Sequence, residues 1–107
     1  MIMRITPSKD EIVKTSNTQT ILVMLCRGHF FGLKKVDNLN FFSLPIGMSK
    51  YSYMQRFIEY VDDHPEKTFF ILENAIASEK DAEDFLKLKE YKNVFLPKNF
   101  WDILENK

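Results

Sequence analysis

The sequence predicts an α/β fold, a small layered domain with a mostly parallel sheet of about four strands flanked by helices. Three observations carry this. Thr20 to Cys26 (TILVMLC) and Thr68 to Leu72 (TFFIL) are near-continuous apolar runs without polar alternation, the pattern of strands covered on both faces. From residue 49 onward the segments read helix, strand, helix, strand, helix, the grammar of βαβ crossovers. The length, 107 residues, fits one domain, residues 1–107, with a modest core.

The elements follow in order. Ser8 with Glu11 three residues on forms a capping pair for a short helix over residues 9–15. Asn17 and Thr18 mark a turn before the strand Thr20–Cys26. Residues Phe30 to Val36 read as a second short strand or a helical turn, and Asp37-Asn38 as a turn. Asn40 to Leu44 is a further short strand, stopped by Pro45 and Gly47. Ser49 caps a helix to about Asp63, with Tyr51, Met54, Phe57, Ile58 and Val61 at helical spacing. Asp63-His64-Pro65 ends it, because a residue before proline resists helical angles. After the strand Thr68–Leu72, Ser78 precedes an acidic first turn containing Glu79 and Asp81, which complements the helix dipole. Ala82, Phe85 and Leu86 supply the buried stripe of that helix. Asn93 to Leu96 is a short strand, and Pro97 leads into a last helix with Phe100, Trp101, Ile103 and Leu104 as its apolar contacts.

Composition narrows the function classes. Fifteen Lys and Arg balance fifteen Asp and Glu, so no net field draws the chain to nucleic acid or anionic lipid. Residues 1–50 carry seven basic and three acidic side chains, +4, and residues 51–107 carry eight and twelve, −4. The single cysteine, Cys26, excludes a disulfide framework and fits a reducing compartment. The apolar run Ile21–Cys26 is too short to span a bilayer. A cytoplasmic protein without membrane association is expected.

In an open α/β sheet, ligands bind where strands meet helices at their carboxyl ends. Phe69 to Ala77 (FFILENAIA) is such a crossing, and it contains no glycine, histidine or cysteine. Glu73 and Asn74 could hold a ribose hydroxyl or orient a water. Alternatively, Asn74 bonds local backbone and Glu73 is solvated. Ser78 begins a helix that could receive an anion, but Glu79 and Asp81 oppose one and favour a capping role. Arg27-Gly28-His29 follows the first strong strand: Arg27 suits a phosphate, Gly28 permits close approach, and His29 supplies a base or donor. The plainer reading is an exposed turn. His64 sits in a helix-ending turn with no neighbouring ligand at metal spacing, and Cys26 reads as a buried thiol. No metal, no cofactor and no catalytic set is expected.

The C-terminal half resembles a phage-encoded family of small non-structural α/β proteins. The likeness rests on RFIEYVDDHPEKTFFILENAIASEKDAEDF, residues 56–85, and KNVFLPKNFWDIL, residues 92–104. In that family a helix ending in a His-Pro turn leads to an apolar strand, a glycine-rich loop, an acidic helix and a strand ending Leu-Pro-x-x-Phe. ILVMLCRGHFFG, residues 21–32, and FFSLPIG, residues 41–47, stand at its first strand and at its short strand before the long helix. The resemblance implies a Rossmann-like or macro-domain-like fold and a nucleotide or ADP-ribose type of ligand. This chain places Ala75-Ile76-Ala77 where the family has glycines, and a Cβ obstructs backbone contact with phosphate. It also lacks the family's Gly-Ser-Asn sequence in the first loop. It therefore looks like a shortened, divergent member.

The expectation is a non-catalytic interaction protein on a degenerate nucleotide-binding-like scaffold. The alternative is a weak binder of ADP-ribose or another nucleotide through loops 27–32 and 73–78. Phe30, Phe31, Phe41, Phe42, Tyr51, Tyr53, Phe100 and Trp101 are many rings for so small a domain. Aromatic enrichment at interfaces extends this to a homodimer or a protein partner. Nucleic acid binding through Lys34 and Lys35 is not expected, because two adjacent lysines make a thin electrostatic footprint.

Overall fold

A computed structural model describes residues 3–26, 31–45 and 50–106. The elements are α1 (Lys9–Thr15), β1 (Thr20–Cys26), β2 (Gly32–Val36), β3 (Leu39–Pro45), α2 (Lys50–Asp63), β4 (Thr68–Ile71), α3 (Glu79–Asp84), β5 (Val94–Phe95) and α4 (Lys98–Glu105). Two 3₁₀ segments, Glu73–Ala75 and Leu86–Glu90, lie between β4 and β5. The sheet order is β2-β3-β1-β4-β5. β3, β1, β4 and β5 are parallel, and β2 pairs antiparallel with β3. The α/β class and the mostly parallel sheet agree with the sequence. The strand count is five rather than about four.

The added strand is the segment that read as either strand or turn. Lys34 and Lys35 spoil its apolar pattern, and that is tolerated because β2 lies at the sheet edge. Its hairpin turns at Asp37 and Asn38, whose φ values of 49° and 65° are both positive, as a two-residue primed turn requires. Gly32, where β2 begins, has φ 140°, a region that side-chain-bearing residues avoid.

The two faces of the sheet are covered unequally. Ile21 and Val23 of β1, Phe42 and Leu44 of β3, Phe69 and Ile71 of β4, and Val94 of β5 belong to the main core. Phe57 and Val61 of α2, Ala82 of α3 and Phe100 and Trp101 of α4 complete it. Phe57 is fully buried, with its ring centroid 5.1 Å from Phe42 and 6.0 Å from Phe69. The alternate residues point the other way. There Leu22 is fully buried, and so is Ile12 of α1; neither belongs to the main cluster, which places α1 on the second face. A seven-residue helix cannot cover a five-stranded sheet. Met24, Phe41, Phe70 and Phe95 are accordingly only half-buried on that side, with the Phe70 and Phe95 rings 5.0 Å apart.

Most of the aromatic residues counted as surplus are core. Phe42, Tyr53, Phe100 and Trp101 are buried, while Phe31 and Phe41 are half-buried. Phe30 and the Tyr51 side chain lie outside the described residues, as do the Ser49 cap and the Cys26 side chain. Among the half-buried rings not singled out from the sequence, Phe70 and Phe95 lie on the second face, while Tyr60 and Tyr91 pack against the main core.

The β5 edge is extended by the N-terminal segment. Ile5 bridges Leu96 in parallel, with Thr6 N–H donating to Leu96 O at 2.9 Å and Leu96 N–H to Arg4 O at 3.0 Å. The Trp101 indole N–H donates to the same Arg4 carbonyl at 3.1 Å. The Thr6 hydroxyl reaches Ile71 O at 2.8 Å and Phe95 O at 2.9 Å, tying β4 and β5 together near their carboxyl ends.

At the amino ends of β4 and β5, His64 Nδ1 lies 2.8 Å from Tyr60 O. A carbonyl only accepts, so Nδ1 carries the proton. The imidazole stacks on Tyr60 at 4.1 Å, and the Asn93 amide donates to Lys67 O at 2.9 Å. His64 is thus a structural residue of the turn into β4. Nearby, the Tyr91 hydroxyl donates to Asp62 Oδ1 at 2.6 Å, joining α2 to the segment before β5. Chiefly through that bond, with burial adding to it, the phenol is pushed up to about 12. A raised phenol pKa means the bond stabilises the fold fully below the unfolded value near 10 and is lost as pH rises through the folded value. Ultraviolet titration should show one tyrosine ionising near pH 12, a step absent in Tyr91→Phe and moved down in Asp62→Asn.

Candidate functional site

The sheet has one place where adjacent parallel strands send their chains in opposite directions. β1 leads to β2 and β3 on one side, and β4 leads to β5 on the other. At such a switch the carboxyl ends of the two strands border a crevice. The loops chosen from sequence, 27–32 and 73–78, leave these two neighbouring ends. Arg27, Gly28 and His29 lie outside the described residues. Glu73, Asn74 and Ser78 are described, and each has a definite place.

The 3₁₀ turn Glu73–Ala75 closes tightly because Ala75 N–H returns to Leu72 O and Ile76 N–H to Glu73 O, both at 3.0 Å. Asn74 Oδ1 accepts from Leu25 N–H at 3.4 Å, across the switch to the end of β1. The asparagine therefore bridges two strand ends rather than its own turn. Glu73 is exposed. Ala75 and Ile76 are 2% and 3% exposed and belong to the core. Their side chains anchor the turn from below, so Ala75 and Ile76 serve packing.

The start of the following helix is occupied by the chain's own side chains. Ser78 Oγ accepts from Asp81 N–H at 3.3 Å, the capping role expected of it. Asp81, buried at 8% exposed, turns its carboxylate back so that Oδ2 accepts from Ala77 N–H at 2.9 Å. A carboxylate at the first turn of a helix is favoured by the helix dipole, and here the chain supplies that anion itself. From the other side, Asn99 of α4 donates to Ile76 O at 2.8 Å and Glu73 O at 3.3 Å. The loop is pinned at both ends by side chains.

Sequence reasoning missed Asn99 and the lock made by Asp81. The Ser78-x-x-Asp81 spacing is a capping signature, so half of that arrangement was visible. Nothing local to Asn99 points to a loop 23 residues earlier.

A cavity of about 370 Å³ opens beside this loop, bounded by Thr6, Lys9, Leu72, Glu73, Pro97 and Lys98. Its charged groups are mixed, and Lys98 is paired with Asp102 at 3.0 Å, a contact that raises the lysine pKa. A larger groove of about 450 Å³ lies away from the strand ends, between α2 and α3, with Met54 and Ile58 among Glu59, Asp62, Asp84 and Lys87. We place the candidate site at the smaller cavity, because the carboxyl ends of β4 and β5 border it, one strand over from the switch between β1 and β4.

Among the described residues, no group of three or more His, Cys, Asp or Glu could hold a metal ion. His64 sits before the amino end of β4, and Ser78 follows its carboxyl end, so the two lie at opposite ends of the strand. No described helix is long and apolar enough to cross a membrane. Compared with family models, curated proteins and solved structures, the chain matches none of them.

Proposed function

We propose that this protein acts by binding another macromolecule, on a scaffold of Rossmann-like or macro-domain-like type whose ligand loop has become structural. The observation that carries the reading is the bond from Ala77 N–H to Asp81 Oδ2. A phosphate-binding loop needs backbone donors that face outward, with glycines for close approach. Here Ala75, Ile76 and Ala77 direct their N–H groups to partners within the chain, and an aspartate occupies the helix N-terminus. The half-open sheet face with Met24, Phe41, Phe70 and Phe95 supports a role in contact with a partner, since aromatic residues are enriched at interfaces. A phage-type origin and a cytoplasmic location accompany this reading from the sequence alone.

One observation favours a second reading, a weak binder of ADP-ribose or a nucleotide. The cavity beside Glu73 lies at the carboxyl ends of β4 and β5, next to the switch, and both candidate loops depart from neighbouring strands.

Calorimetry with ADP-ribose, NAD and ATP, together with native sizing of purified protein and of cell extract, tests the two. No heat and a larger species in extract are expected. Heat with any of the three ligands would transfer the case to the second reading. A monomer of unchanged size in extract would sink the binding-module reading.

A further inference from the structure

The two edges of the sheet are treated differently. The β5 edge is extended by Arg4–Thr6, whereas β2 ends the strand order on its side, and no described strand pairs with its outer edge. Register fixes which of its backbone groups are unused. Val36 and Leu39 flank a two-residue turn, so that pair exchanges both of its hydrogen bonds, and alternation repeats this at Lys34–Phe41 and Gly32–Ser43. The N–H and C=O groups of Leu33 and Lys35 therefore point away from the sheet. The side chains along this edge are exposed as well: Leu33 at 47%, Val36 at 41%, and both lysines between them.

The geometry points to β2 as a docking edge for an extended acidic segment of a partner protein, added as a sixth strand. The claim rests on the reading of this protein as a binding module but uses a different surface from the half-open face. Edge-strand addition supplies affinity through main-chain bonds and specificity through the facing side chains. The order apolar, basic, basic, apolar over residues 33–36 selects apolar, acidic, acidic, apolar in the partner. The same lysines argue against a second copy of this chain. An antiparallel pairing of β2 with itself centred on Lys34 sets Lys34 opposite its own copy, and moving the centre to Lys35 sets Lys35 opposite its own copy. Like charges directly opposed destabilise a strand pair, and lysine at an edge is a known guard against self-association.

The test uses the full chain and the capped peptide Thr-Val-Glu-Glu-Val-Thr at millimolar concentration, followed by amide exchange and chemical shifts. The amide protons of Leu33 and Lys35 should exchange fast in the free protein and become protected with peptide, while those of Lys34 and Val36 stay slow throughout. Lys34→Glu/Lys35→Glu, at two exposed positions, should weaken binding about tenfold by reversing two cross-strand charge pairs and should accept the Lys-Lys version of the peptide instead. Native spectra of this variant away from β2 establish that it folds, and Lys34→Ala/Lys35→Ala provides an intermediate case. Absence of peptide-induced protection at Leu33 and Lys35 overturns the proposal. Protection that rises with protein concentration alone would assign the edge to a homodimer. Shifts produced equally by a thymidine oligonucleotide, without protection, would assign the lysines to generic anion attraction. Because nucleotide heat and size in extract are measured separately, this edge can fail while the binding-module reading stands, and the reverse.

Discussion

Phe57→Ala is expected to lower the stability of this domain by about 3–5 kcal/mol, a large part of the roughly 5–15 kcal/mol typical of a single domain. Phe57 is fully buried where α2 crosses the sheet, against Phe42 and Phe69. Truncation removes the ring's transfer free energy and leaves a cavity. The rings it meets, Phe42 and Phe69, belong to β3 and β4, while Phe57 itself sits on α2, so collapse into the space would require shifts of both layers. Urea denaturation should show a lower midpoint with an unchanged slope. Phe57→Leu, which keeps most of the volume, should lose much less. An effect under 1 kcal/mol for the alanine variant would mean that α2 does not pack against the sheet through this residue.

Asp81→Ala is expected to cost about 2–3 kcal/mol, the range for a hydrogen bond to a charged group lost inside a folded protein. The variant leaves Ala77 N–H without the oxygen that now lies 2.9 Å away, and removes a negative charge from the first turn of α3. Asp81→Asn retains an acceptor and should lose roughly half as much. The two variants also bear on function. If Asp81 locks this turn locally, its removal should loosen residues 73–78 specifically, seen as faster amide exchange there than in β1 or β4. Uniform acceleration across the domain would show that Asp81 serves global stability only.

The fold was legible wherever a signal was local and strong. The bounds of α1 and β1 follow from the Ser8 cap and from the unbroken run TILVMLC. The centrality of β4 follows from the absence of polar alternation in TFFIL, and the structure sets it between β1 and β5. β2 was ambiguous because an edge strand tolerates lysines that a central strand would not. The acidic helix was read as longer than it is. α3 stops at Asp84 and continues as a 3₁₀ segment in which Leu88, rather than Leu86, is fully buried. Tight 3₁₀ spacing changes which residue faces the core, and the sequence has no glycine or proline to mark that change.

At the candidate site the same division holds. The composition of residues 73–78 announced a loop without glycines, and Ser78 announced a cap. Where Asn74, Asp81 and Asn99 send their side chains depended on contacts across 49, 4 and 23 residues respectively. The Asp81 contact was within reach of pattern reasoning. The other two exist because the carboxyl ends of β1 and β4 and the start of α4 come together at one end of the sheet.

By itself, then, the sequence determined that apolar runs without alternation would be central strands, that helical stripes would cover them, and that FFILENAIA would cross from strand to helix without the usual residues for chemistry. These are properties of periodicity and of single side chains. Only the tertiary structure decided that the crossing is locked by Asp81 and Asn99, that one sheet face is left half-open beneath a seven-residue helix, and that β2 is an edge with no further strand beside it among the described residues. Each of these depends on which segments become neighbours. That follows from strand order, and strand order is set by how all the elements bury their apolar faces together rather than by any one of them.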